Sequence, residues 1–375
     1  MASRWSSASK HPRDGHLTSG ERVGAMTRRN ASLTLAGILL VATLALAMLN
    51  PVPFVTMSPG PTQNTLGAIG GHQIIQISGH KTYPTQGALD LTTVSVTPPG
   101  VNIRLPEAIR AWFDPDRALL PSDVVYPPSE SVNQVEQENV QQMRGSQRIA
   151  VAAALAELKI PVGRKVTVSS VTANAPASGK LKPGDVLLRV NGEVLNNIND
   201  VRDAMAGLTP GDQATFVVER GGNRLTVDMS TEADPDDPGH AIVGIGISTA
   251  YVLPFDVEVD IGAGIGGPSA GTIFALAIYD KLTPGSLTGG ATIAGTGAIS
   301  DDGTVAAIGG IAQKIVGAEN SGATVFLVPA PNCEEALDAN VETSSIQLVK
   351  VSTLHGAVTS LEALAADPQA AVPHC

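Results

Sequence analysis

The sequence predicts an α+β protein with three parts in series: an N-terminal transmembrane helix, a small β domain, and a C-terminal domain of mixed sheet and helices. Three observations carry that expectation. Ala31 to Leu49 holds no charged side chain. Residues 165–231 alternate short apolar runs with glycine- and asparagine-bearing turns, as a compact β unit does. Beyond residue 240, β-branched runs alternate with helical stripes to the end of the chain. With 375 residues, 43% hydrophobic and 16% charged, the composition is that of folded domains rather than a disordered chain.

Residues 1–30 read as a cytoplasmic tail, carrying Arg4, Lys10, Arg13, Arg22, Arg28 and Arg29 against only Asp14 and Glu21. The apolar run at 31–49 reaches ~28 Å as a helix, close to the thickness of a bilayer core. Arg28 and Arg29 precede it, so the positive-inside rule places the N-terminus in the cytoplasm and the residues after 50 outside, in an extracytoplasmic position. A cleaved signal peptide is the competing reading, with Ala45-Leu46-Ala47 as a small-x-small site. That site lies inside the apolar run without a polar stretch before it, which favours an uncleaved membrane anchor. The net charge of −11 leaves the rest of the chain acidic and argues against nucleic acid as a partner.

Residues 50–160 read as an extracytoplasmic α/β region. Ser58-Pro-Gly-Pro61 is expected to be a rigid exit segment. Ile74–Val96 has strand pattern, and Val132–Leu158 has helical pattern with Val151, Leu155 and Leu158 at i, i+4, i+7. Residues 162–232 form the β unit, with strands near Val166 and at 186–190 and a short helix capped by Asn199. A hairpin turns at Arg220-Gly-Gly-Asn223. Thr231 to Gly239 is an acidic, proline-bearing linker, and residues 240–367 make the last domain.

The run Ala175-Pro-Ala-Ser-Gly-Lys-Leu-Lys-Pro-Gly-Asp185-Val-Leu-Leu-Arg-Val-Asn-Gly192 resembles the signature of PDZ domains. The resemblance implies binding of an extended peptide at a sheet edge. No Gly-Leu-Gly-Phe-type carboxylate loop precedes the run, so it does not by itself imply recognition of a free C-terminus.

Candidate chemistry centres on Ser269. Gly262–Gly267 supplies a backbone that others can approach closely, Pro268 suits a first helical turn, and unpaired N–H groups at a helix start favour an oxyanion. The bland alternative is a serine that caps a buried helix. Lys314 lies at the edge of the stripe Ile311, Ile315, Ala318. There it either snorkels to solvent or is held inward with a lowered pKa.

Together these segments resemble the proteolytic domain of Lon-type peptidases. The resemblance rests on Asp260-Ile-Gly-Ala-Gly-Ile-Gly-Gly-Pro-Ser269, Gly295-Thr-Gly-Ala-Ile299, Gly303-Thr-Val-Ala-Ala-Ile-Gly-Gly-Ile-Ala-Gln-Lys314 and Gly322-Ala-Thr-Val-Phe-Leu-Val-Pro329. It implies Ser269 as nucleophile, Lys314 as general base and Thr296 as the hydroxyl that positions the lysine. Gly267, Pro268 and Ala270 would support the site, with amides at 268–270 as oxyanion donors. Ala298 stands where such enzymes usually carry an acidic residue. The layout is similar to the small membrane-bound Lon-like family of bacteria. Gly87–Val96 and Gln141–Leu155 faintly resemble the opening strand and first helix of a Lon core, which implies that the PDZ-like unit is inserted within the protease domain.

The resemblance further implies cleavage of unfolded or flexible protein segments, and Lon-type cores commonly assemble as homo-oligomeric rings. The sequence contains no Gly-x4-Gly-Lys-Ser/Thr phosphate loop and no metal-ligand spacing, so ATP-independent chemistry without cofactor or metal is expected. Two readings compete. Gly267-Pro-Ser269-Ala-Gly271 also fits the nucleophile elbow of an α/β-hydrolase esterase, with Asp338 and His355 completing a triad. A membrane-tethered, non-catalytic PDZ adaptor is the other. Cys333 and Cys375, the only cysteines, can form one disulfide.

Overall fold

The computed structural model describes residues 28–128, 131–262, 264–339 and 346–375, so the tail expected at 1–30 lies almost wholly outside the described residues. The first element is the helix Arg28–Leu49, of which Asn30–Leu49 is long and apolar enough to cross a membrane. Its three hydroxyl side chains are satisfied within the helix. Ser32, Thr34 and Thr43 each donate a hydroxyl to the carbonyl four residues back at 2.8 Å, leaving no hydroxyl that requires water.

The core is a six-stranded sheet in the spatial order Gln347–Val351, Val325–Pro329, Thr292–Gly295, Ala88–Val96, Phe54–Asn64, Ala118–Pro121. The first four strands run parallel, and Phe54–Asn64 is antiparallel to both its neighbours. Strand alternation splits the core between two faces. Val325 and Leu327 pack with Ile273, Phe274 and Leu361, whereas Phe326 and Val328 pack with Ile311, Ile315 and Ala318. The helices Val132–Glu157 and Gly271–Leu282 therefore lie against each other on one face, and Ile311–Asn320 covers the other. Cys333 and Cys375 are disulfide-bonded and tie the C-terminus to this second face.

Residues 163–252 build a separate sheet between these contributions. Its order is Asn223–Ser230, Gln213–Arg220, Val186–Val190, Gly163–Val171, Ile245–Val252, with the short Glu193–Val194 beside Val186–Val190. Its own core holds Phe216, Leu187, Val190, Val166 and Met229. Arg164 from this sheet meets Asp301 of the larger core at 3.0 Å.

Several expectations need correction. The small sheet does not stop at 232, because Ile245–Val252 pairs along Gly163–Val171; the boundary expected at 240 falls inside the connection to that strand. Ser58-Pro-Gly-Pro61 lies within a strand, where the register shifts between Pro59 and Thr62. The prolines sit beyond the part of the strand that pairs with Ala118–Pro121, so their missing N–H groups break no ladder on that side. Asn197, not Asn199, caps the helix Ile198–Ala206. Its Oδ1 accepts from the amides of Asn199 and Asp200 at 2.8 and 3.2 Å, and Asp200 bonds back to the Asn197 amide. The helix starts two residues earlier because Asp200 then falls at the reciprocal position of the capping box.

Candidate active site

The sheet brings three separate segments to the carboxyl end of Thr292–Gly295. Thr296 follows that strand directly. Ser269 arrives on the glycine-rich connection before Gly271–Leu282, and Lys314 arrives from Ile311–Asn320 on the opposite face. Crevices outside the carboxyl ends of parallel strands are where such sheets leave room for ligands.

Lys314 is turned inward and is only 2% exposed. Its Nζ lies 2.8 Å from Ser269 Oγ and 3.0 Å from Thr296 Oγ1. No carboxylate accompanies it in these bonds, so burial acts unopposed and lowers its pKa from the ordinary 10.5 to about 8. The choice left open by the sequence, snorkelling or inward, is decided by Ile311 and Ile315. Both are fully buried under the sheet and fix the rotation of the helix.

Ser269 is pinned from behind. Its carbonyl oxygen accepts from the Gly297 amide at 2.7 Å and from the Thr296 hydroxyl at 3.0 Å. Gly297 in turn accepts the Thr272 amide and hydroxyl, both at 3.0 Å. Gly297 is required there: its φ is +150°, and an added Cβ would press on the Thr272 hydroxyl and Val305. The strands Thr292–Gly295 and Ala298–Ile299 are accordingly separated at Thr296-Gly297.

The expected oxyanion donors need a correction. Pro268 has no N–H, and the Gly267 amide is spent on Asn139 O at 3.1 Å. The amides of Ser269 and Ala270 have no partner among the described residues. The helix begins at Gly271 with Ala270 at its N-cap, so Ser269 stands just before the first turn and Pro268 does not open it.

The cleft over these groups, about 420 Å³, is lined by Thr92–Val96, Met143, Gly264–Gly266, Ser269 and Lys314. Strand Ala88–Val96 pairs with Thr292–Gly295 only as far as Leu91. From Thr92 to Val96 its edge on that side has no strand partner among the described residues, and it borders the cleft.

Sequence reasoning missed Ser146, whose Oγ donates to Pro268 O at 2.9 Å. A readable signal existed: Met143, Ser146, Ala150 and Ala153 share one helical stripe, which makes Ser146 a polar group on a buried face. It also missed Val243-Gly-Ile-Gly-Ile247, a run of alternating apolar and glycine residues that follows the small β unit rather than preceding it. With Val201 and Met205 of the helix Ile198–Ala206, this run lines a second groove of about 830 Å³. The proposed hydrolase triad is not brought together. His355 is exposed and bonds to Glu157 at 2.8 Å, while the hydroxyl of Ser269 faces Lys314.

The larger core thus carries the Ser269–Lys314 contact, and the small sheet carries the groove at Val243–Ile247. Residues 246–361 match the model of the Lon protease (S16) C-terminal proteolytic domain, and residues 135–231 match that of the PDZ domain. The chain therefore carries a Lon-type proteolytic domain and a PDZ domain. The PDZ match begins within the helix Val132–Glu157, which packs in the larger core, and ends before Ile245–Val252, which completes the small sheet.

Lon protease 1 of Sorangium cellulosum is 35% identical over 118 residues, covering 30% of this chain and 14% of that protein. A probable periplasmic serine endoprotease, DegP-like, of Pseudomonas putida is 38% identical over 80 residues, covering 21% of this chain and 16% of that protein. The chain thus spans about one-seventh of the length of these curated relatives. Among solved structures, the PDZ domain of an SdrC-like protein from Listeria monocytogenes is 24% identical. It covers 22% of this chain and 86% of that one, with a TM-score of 0.21.

Proposed function

We propose that the protein is a membrane-anchored serine endopeptidase that uses a Ser269–Lys314 dyad without ATP. The observation that carries this is the buried Lys314 amine, 2.8 Å from Ser269 Oγ and with its pKa lowered to about 8. A neutral amine there accepts the Ser269 proton as the oxygen attacks a peptide carbonyl. The amides of Ser269 and Ala270 receive the oxyanion. Lys314, now protonated, gives its proton to the leaving amine, and water then hydrolyses the acyl-enzyme by the same route in reverse. Thr296 holds the lysine and the serine backbone together.

The open edge at Thr92–Val96 fits an extended substrate strand, which requires an unfolded or flexible segment. The groove at Val243–Ile247 would hold a second stretch of protein or peptide. We assign the protease domain to residues 51–157 and 253–375, with the PDZ domain inserted at 163–252. Asn30–Leu49 anchors the chain in the membrane, with the basic N-terminus in the cytoplasm and the protease outside.

The test is degradation of an unfolded protein by the full-length, detergent-solubilised chain without ATP. Ser269→Ala and Lys314→Met should lose at least a hundredfold in rate, and His355→Ala should remain active. Dependence on His355 with an active Lys314→Met would sink the dyad. A requirement for ATP would remove that part of the reading alone.

A further inference from the structure

The helix Leu105–Phe113 buries Ala108 and Ala111 against the fold. On its outer side Ile109, Trp112 and Phe113 are 42%, 72% and 79% exposed. In a chain with only 3% aromatic residues, two adjacent aromatics left in solvent need a partner. Val101 and Val124 extend the exposed apolar surface on neighbouring segments. Between helix and sheet lies an apolar recess of about 210 Å³ bordered by Val52, Phe54, Ile109, Trp112 and Leu119.

The position of this patch identifies its partner. Pro51–Val52, reached one residue after the apolar helix ends, pairs with Ile103–Arg104, and Leu105 starts the exposed helix at once. The end of Arg28–Leu49 packs against Leu105–Phe113, and Ala47 and Met48 are half-buried there. The aromatic side is therefore held beside the point where the chain leaves the anchor. A second copy of the chain fits less well. Nine residues make a helix ~14 Å long, too small to supply the ~800 Å² per partner of a stable protein interface.

We propose that Leu105–Phe113 lies in the membrane interface, with Trp112 and Phe113 inserted at the level of the headgroups and upper acyl chains. Tryptophan is suited to that depth because its ring is apolar and its N–H is not. A single spanning helix leaves the protein free to rotate and tilt. The second contact fixes how the Ser269 cleft is presented to the bilayer. The proposal rests on the reading that Asn30–Leu49 spans the membrane.

The chain has two tryptophans, so Trp5→Phe leaves Trp112 as the single fluorophore. The full chain is reconstituted into phosphatidylcholine vesicles carrying bromine high or low on the acyl chain, and its co-flotation with the vesicles is measured beside fluorescence. The expected result is flotation with at least twofold quenching of Trp112, stronger from the shallow bromines. Flotation with Trp112 quenched instead by aqueous acrylamide overturns the proposal and leaves the anchor standing. Flotation with Trp112 shielded from both quenchers means that protein covers it, which also overturns the proposal. Failure to float overturns the anchor and the proposal together.

Discussion

Ser146 donates its hydroxyl to the carbonyl oxygen of Pro268 at 2.9 Å, although 122 residues separate them. The bond joins the helix Val132–Glu157 to the peptide unit immediately before Ser269, and the inserted sheet lies between them in sequence. The segment ahead of the insertion thus helps to position the serine that follows it. Ser146→Ala should lower kcat about tenfold, since small displacements of a reacting group are costly. KM and the pH midpoint should barely change, because neither Lys314 nor the cleft edge is touched. Steady-state kinetics on a flexible peptide substrate check this, and an unchanged kcat would refute it.

The state of Lys314 sets the pH profile. Its amine is the base only when neutral, so kcat/KM should rise about tenfold per pH unit from acid and level off above about 8. A pH series between 5.5 and 9.5 tests the midpoint, where ~pH 8 follows from the lowered pKa. A plateau already reached at pH 6 would contradict Lys314 as the base.

The same burial bears on stability. The folded pKa of about 8 lies below the ordinary 10.5, so between these values the unfolded chain binds more protons than the folded one. The contribution of this group to stability therefore rises with pH from about 8 to about 10.5, and below that window it is a constant penalty. Lys314→Met removes the penalty at the expense of two hydrogen bonds. We expect a gain on the order of 2 kcal/mol at pH 7 that shrinks above about pH 8. It turns into a small loss by about pH 10, where the parent amine is largely neutral and the two hydrogen bonds remain to its credit. Thermal melts of both proteins at pH 7 and pH 10 measure it.

Thr296→Val removes the hydroxyl that bonds to Lys314 Nζ and to Ser269 O. A loss of 10- to 100-fold in kcat is expected, with Thr296→Ser recovering most of it. A valine variant as active as the parent would show that the lysine needs no such support.

Gly297→Ala combines an unfavourable φ with a methyl group aimed at Thr272 and Val305. Destabilisation of about 2–4 kcal/mol follows from strain plus overpacking, and activity should fall with it. A melt within a degree of the parent would mean that the backbone relaxes without cost.

Local pattern made several elements legible. The stripe Ile311, Ile315, Ala318, the turn Arg220-Gly-Gly-Asn223 and the charge-free run at 31–49 each announce their element within a few residues. The helix Leu105–Phe113 was missed between proline-rich stretches, and the strand Gln347–Val351 was missed at the end of the chain. The proline segment 58–61 was misread because proline usually excludes a central strand. Here the partner on the Ala118–Pro121 side ends before the prolines begin.

By itself the sequence determined which chemical groups are present and which faces of which segments are apolar. It placed a hydroxyl after a glycine-rich run, a lysine beside an apolar stripe, and a charge-free helix after two arginines. Only the tertiary structure decided that these groups meet. Thr292–Gly295 pairs with Ala88–Leu91 across some 200 residues, and such pairing leaves no trace in local periodicity. Whether Lys314 faces water or Ser269, and therefore where it titrates, depends on what is packed around its amine. That packing is a property of the assembled core and not of the residues beside it in the chain.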